Sequence, residues 1–259
     1  MGTFLFNSTV FGPVISRRLG SSLGINLLPN DIKICNFNCI YCECGLTPEI
    51  SDKRHKLPAR TEVRKLLEEY LTSPKHSHEK IDTLTFAGNG EPTLHPEFPG
   101  IIDDVLELRE IYLPKVKIAV LSNGTLIHHP EVFNALHKVD FNILKLDSLI
   151  AKTQKLINCP LGGYSIKKTL EGFKKFNGKL IIQTMFFRGV YNGIHIDNTS
   201  KEELDLLIKS YLEINPESIM IYTISRDTPH HNLQKVDENQ LKIIAGKIEK
   251  LGIRTHVSG

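Results

Sequence analysis

Thr83-Leu84-Thr85-Phe86-Ala87-Gly88-Asn89-Gly90-Glu91-Pro92 runs from a short apolar segment straight into a glycine-rich turn. A continuous run of β-branched and large apolar residues suits a strand buried on both faces. Glycines at its end let a backbone approach a neighbour or a ligand closely, because no Cβ intervenes. Pro92 cannot donate to a ladder and helps to end the strand. The spacing is not that of a dinucleotide fingerprint, in which the third glycine opens a helix. A helical pattern over 97–109 follows, then a second apolar run over 116–121, so the stretch opens a strand–helix–strand unit.

The same alternation spreads outward in both directions. Strand-like runs recur at 141–146, 180–187 and 218–223, and helical patterns at 61–71, 130–138, 165–176, 201–212 and 238–251. Pro130 suits a first helical turn, Ser200 an N-cap, and Gly252 a position just past the last helix. Repeated βα units imply a parallel sheet with helices outside. A barrel or partial barrel puts functional groups at the carboxyl ends of its strands. The pattern alone leaves a doubly wound open sheet as an alternative.

The chain has 259 residues, a formal net charge of +3 and five cysteines. That length suits one α/β domain or two small ones, and the reading is a single domain over 1–259, with 1–22 as an N-terminal extension packing on the barrel. The mild charge permits a nucleic-acid substrate without arguing for one. Clustered cysteines do not look like a secreted disulfide framework. The opening residues lack the basic flank and long apolar core of a signal peptide. Gly2 is followed by Phe6 where a myristoylation signal wants Ser or Thr. No apolar run approaches membrane-spanning length. The expectation is a protein of the reducing cytoplasm, with no membrane partner.

Upstream of the glycine turn lies Cys35-Asn-Phe-Asn-Cys39-Ile-Tyr-Cys42, with spacing C-x3-C-x2-C. Three thiolates can hold three irons of a [4Fe–4S] cluster and leave the fourth iron open, whereas clusters used only for electron transfer normally take four cysteines. The alternative is a zinc site with Cys44 as fourth ligand, although such sites generally pair two ligand halves across an intervening segment. Cys44 reads as a bystander near the cluster, and Cys159 as a buried or loop thiol. His128-His129 and His230-His231 receive no ligand role, since adjacent residues do not share a helix face.

Taken together, the cysteine loop and Gly88-Asn89-Gly90-Glu91-Pro92 resemble the cluster motif and the glycine-rich GGEP element of the radical S-adenosylmethionine superfamily. The resemblance implies a partial (β/α)6 TIM-like barrel from about residue 20 onward, with cluster and cofactor at the carboxyl ends of its parallel strands. It implies Cys35, Cys39 and Cys42 as cluster ligands, and S-adenosylmethionine chelated to the open iron through its amine and carboxylate. One electron then cleaves the sulfonium bond and yields a 5′-deoxyadenosyl radical. Gly88, Asn89, Gly90 and Glu91 would hold the methionyl amine, and Tyr41 would pack against adenine. Ser122 and Asn123 become candidates for the ribose, with an Asn-Gly turn as the bland reading. Lys145, Asp147 and Gln183 would serve the methionine carboxylate, the ribose or the substrate, and Arg226 an anionic group.

The block 11–26, with Arg17 and Arg18 as candidates for a phosphate or carboxylate, resembles the branch related to wyosine synthases. Those enzymes carry a second cluster on three further cysteines, and here only Cys44 and Cys159 are left over. The expected substrate is a modified nucleoside in tRNA, with a reductant such as flavodoxin or ferredoxin as partner. Rival enzyme readings are a glycyl-radical-enzyme activase and a small-metabolite radical enzyme. Outside enzymes, an iron–sulfur electron carrier or a zinc-binding module remains. The electron donor's identity and the oligomeric state are not legible.

Overall fold

A computed structural model describes residues 4–48 and 55–259, so Gly2 lies outside the described residues. Eight strands form the main sheet in the order β1 (Val10–Ser16), β2 (Gly20–Ile25), β3 (Thr83–Phe86), β4 (Lys117–Ser122), β5 (Phe141–Lys145), β6 (Ile181–Met185), β9 (Ser218–Tyr222) and β11 (Thr255–Ser258). Every neighbouring pair from β2 to β11 is parallel, and β1 alone runs antiparallel, against β2. Between them stand α1 (Arg60–Thr72), α2 (Phe98–Tyr112), α3 (Pro130–Lys138), α4 (Ala151–Asn158), α5 (Ile166–Lys174), α6 (Lys201–Ile214) and α7 (Glu238–Glu249). The sheet curls into a half-barrel with these helices outside, which settles the choice against a flat doubly wound sheet.

Side chains alternate across each strand, so one register faces the helices and the other the interior. Leu84, Phe86, Ile118, Val120, Leu144, Ile182, Ile219 and Ile221 belong to the large core shared with the helices. Ala119, Ile143, Ile181 and Met220 form a separate small cluster with Leu19 inside the curve. Ser200 caps α6 by accepting from Glu203 N, and Pro130 opens α3.

Neither α4 nor β11 is among the elements expected from sequence, and two further features depart from that expectation. Residues 10–22, read as part of an extension on the barrel, enter the sheet as β1 and the start of β2. The run 180–187 is divided: after Met185 the chain leaves the sheet as β7 (Phe187–Tyr191), which pairs with β8 (Ile194–Asp197) and β10 (Leu233–Lys235) in a second, antiparallel sheet. Asn198 causes the departure. Its buried amide accepts from Phe187 N and donates to Met185 O and Asp147 O, replacing ladder bonds at the exit. At the other margin, Arg17 in the β1–β2 turn donates to Ser225 Oγ (2.8 Å) and to Gly259 O, beyond the ends of β9 and β11.

Candidate active site

The cysteine loop is strung between two supports. On one side Ile34 pairs with Gly90: Ile34 N donates to Asn89 O (2.9 Å), and Glu91 N to Ile34 O (3.0 Å). On the other, Asn38 N donates to Cys159 O, Ile40 N to Ile157 O, and Leu161 N to Asn36 O. Gly90 has φ +136, and a Cβ there would stand 1.8 Å from Ile34 O. The glycine therefore admits the backbone of the cysteine loop itself. Glu91 fastens the same corner from beneath. Its buried carboxyl accepts from Thr93 N, Thr93 Oγ1, Ser122 Oγ and Asn123 N, tying the end of β3 to the end of β4. Burial pushes this carboxyl above its usual range even against those four donors.

Each of the three thiols has a donor or a cation nearby. Phe37 N and the Asn123 amide approach Cys35 Sγ at 3.4 and 3.8 Å, and the Asn158 amide approaches Cys39 Sγ at 3.4 Å. Burial pushes the Cys35 thiol up to about 12 and Cys39 up to about 11. Contact with Cys44, helped by Lys33, brings Cys42 down to about 6, and Cys44 rises in return. Cys44 Sγ donates to Gly88 O at 3.3 Å. Lys33 is buried within the loop, with Nζ donating to Gly45 O (2.8 Å). Among the described residues no three His, Cys, Asp or Glu side chains converge on a point that one ion could fill. A cubane offers each thiolate a different iron, so its ligands need no common centre. Sulfur atoms facing amide donors are the environment that tunes such a cluster. The donor set fits the group.

Asp147 connects the loop to the strand ends. Its buried carboxylate accepts from Tyr41 Oη (2.5 Å), Asn158 Nδ2 (2.9 Å) and Met185 N (3.0 Å), with Lys145 Nζ at 3.5 Å. Burial works against the Lys145 charge, but Asp147 and Tyr222 hold its ammonium above the ordinary lysine range. Burial and the same carboxylate raise the Tyr41 phenol. Replacing Asp147 by Asn turns one of its two oxygens into a donor, which would face Tyr41 Oη and Asn158 Nδ2 at the Oδ2 position or Met185 N at the Oδ1 position. Asp147→Asn is expected to lower the unfolding free energy by about 2 kcal/mol, read by urea denaturation; an unchanged midpoint would show that the carboxylate holds nothing there.

Residues 30–196, more than half of the chain, match the sequence profile of the radical SAM superfamily. This chain belongs to the radical SAM superfamily. It is 34% identical over 238 residues to a UPF0026 protein of Helicobacter pylori, covering 90% of this chain and 71% of that one. It is also 30% identical over 237 residues to a protein of Brachyspira hyodysenteriae named GTPase Obg, covering 90% of this chain but 32% of the other. Among solved structures, SuiB of Streptococcus suis bound to S-adenosylmethionine superposes with a TM-score of 0.64 at 16% identity, covering 91% of this chain and 50% of that chain. At that identity the likeness concerns the fold, and it matches the half-barrel. The chain spans about half of SuiB and about a third of the Brachyspira protein. As a radical SAM protein it is an enzyme of a superfamily that uses a [4Fe–4S] cluster and S-adenosylmethionine and generally needs a reductant.

Within the radical SAM half-barrel the positions named from sequence fall into three groups. Tyr41, Lys145, Asp147 and Gln183 meet at the carboxyl ends of β5 and β6, joined through Tyr222, whose hydroxyl takes Lys145 Nζ (2.6 Å) and gives to Gln183 Oε1 (3.3 Å). Gly88, Asn89, Gly90, Glu91, Ser122 and Asn123 surround the cysteine loop, but their side chains are occupied. Asn89 bonds Phe6 and Pro29, Ser122 gives its proton to Glu91, and the Asn123 amide holds Asn36 and Thr125. Arg226 stands apart, exposed and paired with Glu43 at 2.7 Å between Cys42 and Cys44. Sequence reading missed Lys33, Asn158 and Tyr222, none of which carries a local pattern. His128 and His129 lie tilted against one another, and His230 meets Tyr191 edge to face.

No helix among the described residues is long and apolar enough to cross a membrane. Cavities of about 590 and 570 Å³ lie on either side of the loop 160–164, one reaching Asn36 and Phe37, the other Asn38 and Cys159.

Proposed function

We propose that this radical SAM enzyme modifies a nucleoside within tRNA, in a reducing compartment such as the cytoplasm, with flavodoxin or ferredoxin as electron donor. Cys35, Cys39 and Cys42 would hold the cluster. The backbone of 88–91, with Tyr41, Lys145, Asp147 and the β4 end at Ser122 and Asn123, would orient the cofactor. Bound together, cluster and S-adenosylmethionine supply a one-electron cleavage and a carbon radical able to take hydrogen from a substrate. The protein's own part is to keep the thiols in place and to exclude water with the Phe37, Ile40 and Tyr41 packing. Lys33 near Cys42 and Lys145 near Cys39 would favour the thiolate forms.

One observation supports an RNA substrate. Between 151 and 180 the chain has seven lysines and a single carboxylate, Glu171, and all seven lysines are exposed. This basic surface borders both cavities at the 160–164 loop, with Lys155 and Lys168 in their walls. Lysines that neutralise phosphates release counterions and give a salt-dependent affinity. A cavity of several hundred Å³ is large enough for one extruded nucleoside. Replacing Lys155, Lys167, Lys168 and Lys175 by Gln is expected to reduce the slope of log K against log salt for tRNA by about 3, measured by filter binding. For the reaction, tRNA nucleosides from cells with and without the gene are compared by mass spectrometry. One modified nucleoside should disappear and its precursor accumulate. An unaltered profile, with an unaltered salt slope, would move the substrate to peptides or small metabolites.

A further inference from the structure

Two donors inside the half-barrel have no acceptor among the described residues. Gln183, on β6, is 6% exposed, and its Nε2 is buried and unpartnered. The orientation of that amide is fixed by its neighbours. Lys145 donates to the Tyr222 oxygen, so the Tyr222 hydroxyl proton must go elsewhere, and Gln183 Oε1 is there to receive it. Nε2 is then left facing the other way. Arg18, from the β1–β2 turn, has its Nη1 buried and unpartnered as well, and its guanidinium lies over the Tyr222 ring, 4.4 Å from the centroid.

A buried donor without a partner is costly, and a charged one more so. Two such donors bordering one tyrosine ring point to an acceptor that arrives from outside. Charge narrows its nature. Arg18 and Lys145 both lie against the Tyr222 ring, and Asp147 is the carboxylate paired with Lys145. Asp147 already serves Tyr41, Asn158 and Met185 N, so it does not serve Arg18. A neutral carbonyl would satisfy Gln183 and leave the guanidinium's charge unmatched. A planar guanidinium with an adjacent amide suits an oxyanion with two acceptor oxygens. Arg18 also lies outside the matched span 30–196, so the site is built partly from the N-terminal hairpin.

We propose that Arg18 and Gln183, beside Tyr222, bind a compact oxyanion carried by the substrate, either a carboxylate or a phosphate. Binding there can be read without turnover.

The test uses the reconstituted holoenzyme saturated with S-adenosylmethionine, titrated calorimetrically with inorganic phosphate and, separately, with acetate at constant ionic strength. The wild type should bind one of the two in the millimolar range or tighter, which names the oxyanion. Gln183→Glu, which keeps the side chain's shape and adds a negative charge, and Arg18→Gln should each weaken that binding at least tenfold. Arg18→Lys, which keeps the charge, should recover part of it even if Arg18→Gln folds poorly. Equal binding by the wild type and Gln183→Glu, or no binding of either probe to the wild type, would overturn the site. Binding that appears only when S-adenosylmethionine is withheld would assign the site to the cofactor's own carboxylate and overturn a substrate role. 5′-Deoxyadenosine formation by the wild type under dithionite is scored separately. Its absence would sink the radical chemistry, whereas its presence without anion binding would sink only this site.

Discussion

Cys39→Ala is expected to lose its cluster iron after anaerobic reconstitution and to fall to background in 5′-deoxyadenosine formation, while Cys44→Ala keeps both. Cys39 is the most enclosed of the three loop thiols, with the Asn158 amide at its sulfur and the packing of Ile40 and Phe187 around it. Removing it leaves two thiolates, which cannot hold a cubane at three corners. Cys44 lies against Cys42 but donates to Gly88 O, so its sulfur also serves the glycine turn. Iron per chain in Cys39→Ala should drop by roughly tenfold or more. In Cys44→Ala it should stay near the wild-type value, with a changed absorption envelope at most. Equal iron loss in the two variants would mean that four cysteines close the cluster, and the open iron on which the chemistry depends would not exist.

Gly90→Ala is expected to be nearly as damaging, for a steric reason. The added methyl would overlap the Ile34 carbonyl, and alanine is strained at φ +136. Left-handed strain costs about 1–3 kcal/mol and overpacking against backbone about as much again. A loss of about 4 kcal/mol is expected, together with failure to retain iron, because the bridge that holds residue 34 beside residue 90 cannot form. Gly163→Ala is the natural comparison: nothing lies within 4 Å of a Cβ there, and its φ is not positive. It should change stability by no more than about 0.5 kcal/mol. Urea unfolding and iron content of both variants test the pair. A Gly90→Ala protein as stable as Gly163→Ala would show that the loop does not lie against the glycine strand end.

The repeated βα pattern was legible because its periodicities are local. Ser200 and Pro130 mark helix starts with their own side chains, and the strands of the parallel sheet announce themselves by apolar runs. The cysteine loop was legible by spacing alone. What stayed hidden depends on residues far apart in the chain. Asn198 bends β6 out of the sheet through bonds to Asp147 and Met185, and no local pattern distinguishes it from any loop asparagine. Asn158 reaches Cys39 across 119 residues. Lys33 looks like a surface lysine until the loop folds over it. Arg226, a candidate for an anionic group, pairs with Glu43 between Cys42 and Cys44, a partner that no local pattern announces. The glycine turn lies beside the cysteines, and its closest visible duty is to receive the loop.

Arg17 gives the half-barrel a seam. Its partners, Ser225 and Gly259, lie 208 and 242 residues away in the chain, whereas the cysteine loop leans on the nearer residues 89–91 and 157–161. The first and last parallel strands share no ladder, so side chains of the β1–β2 turn span the gap between the two margins of the sheet instead.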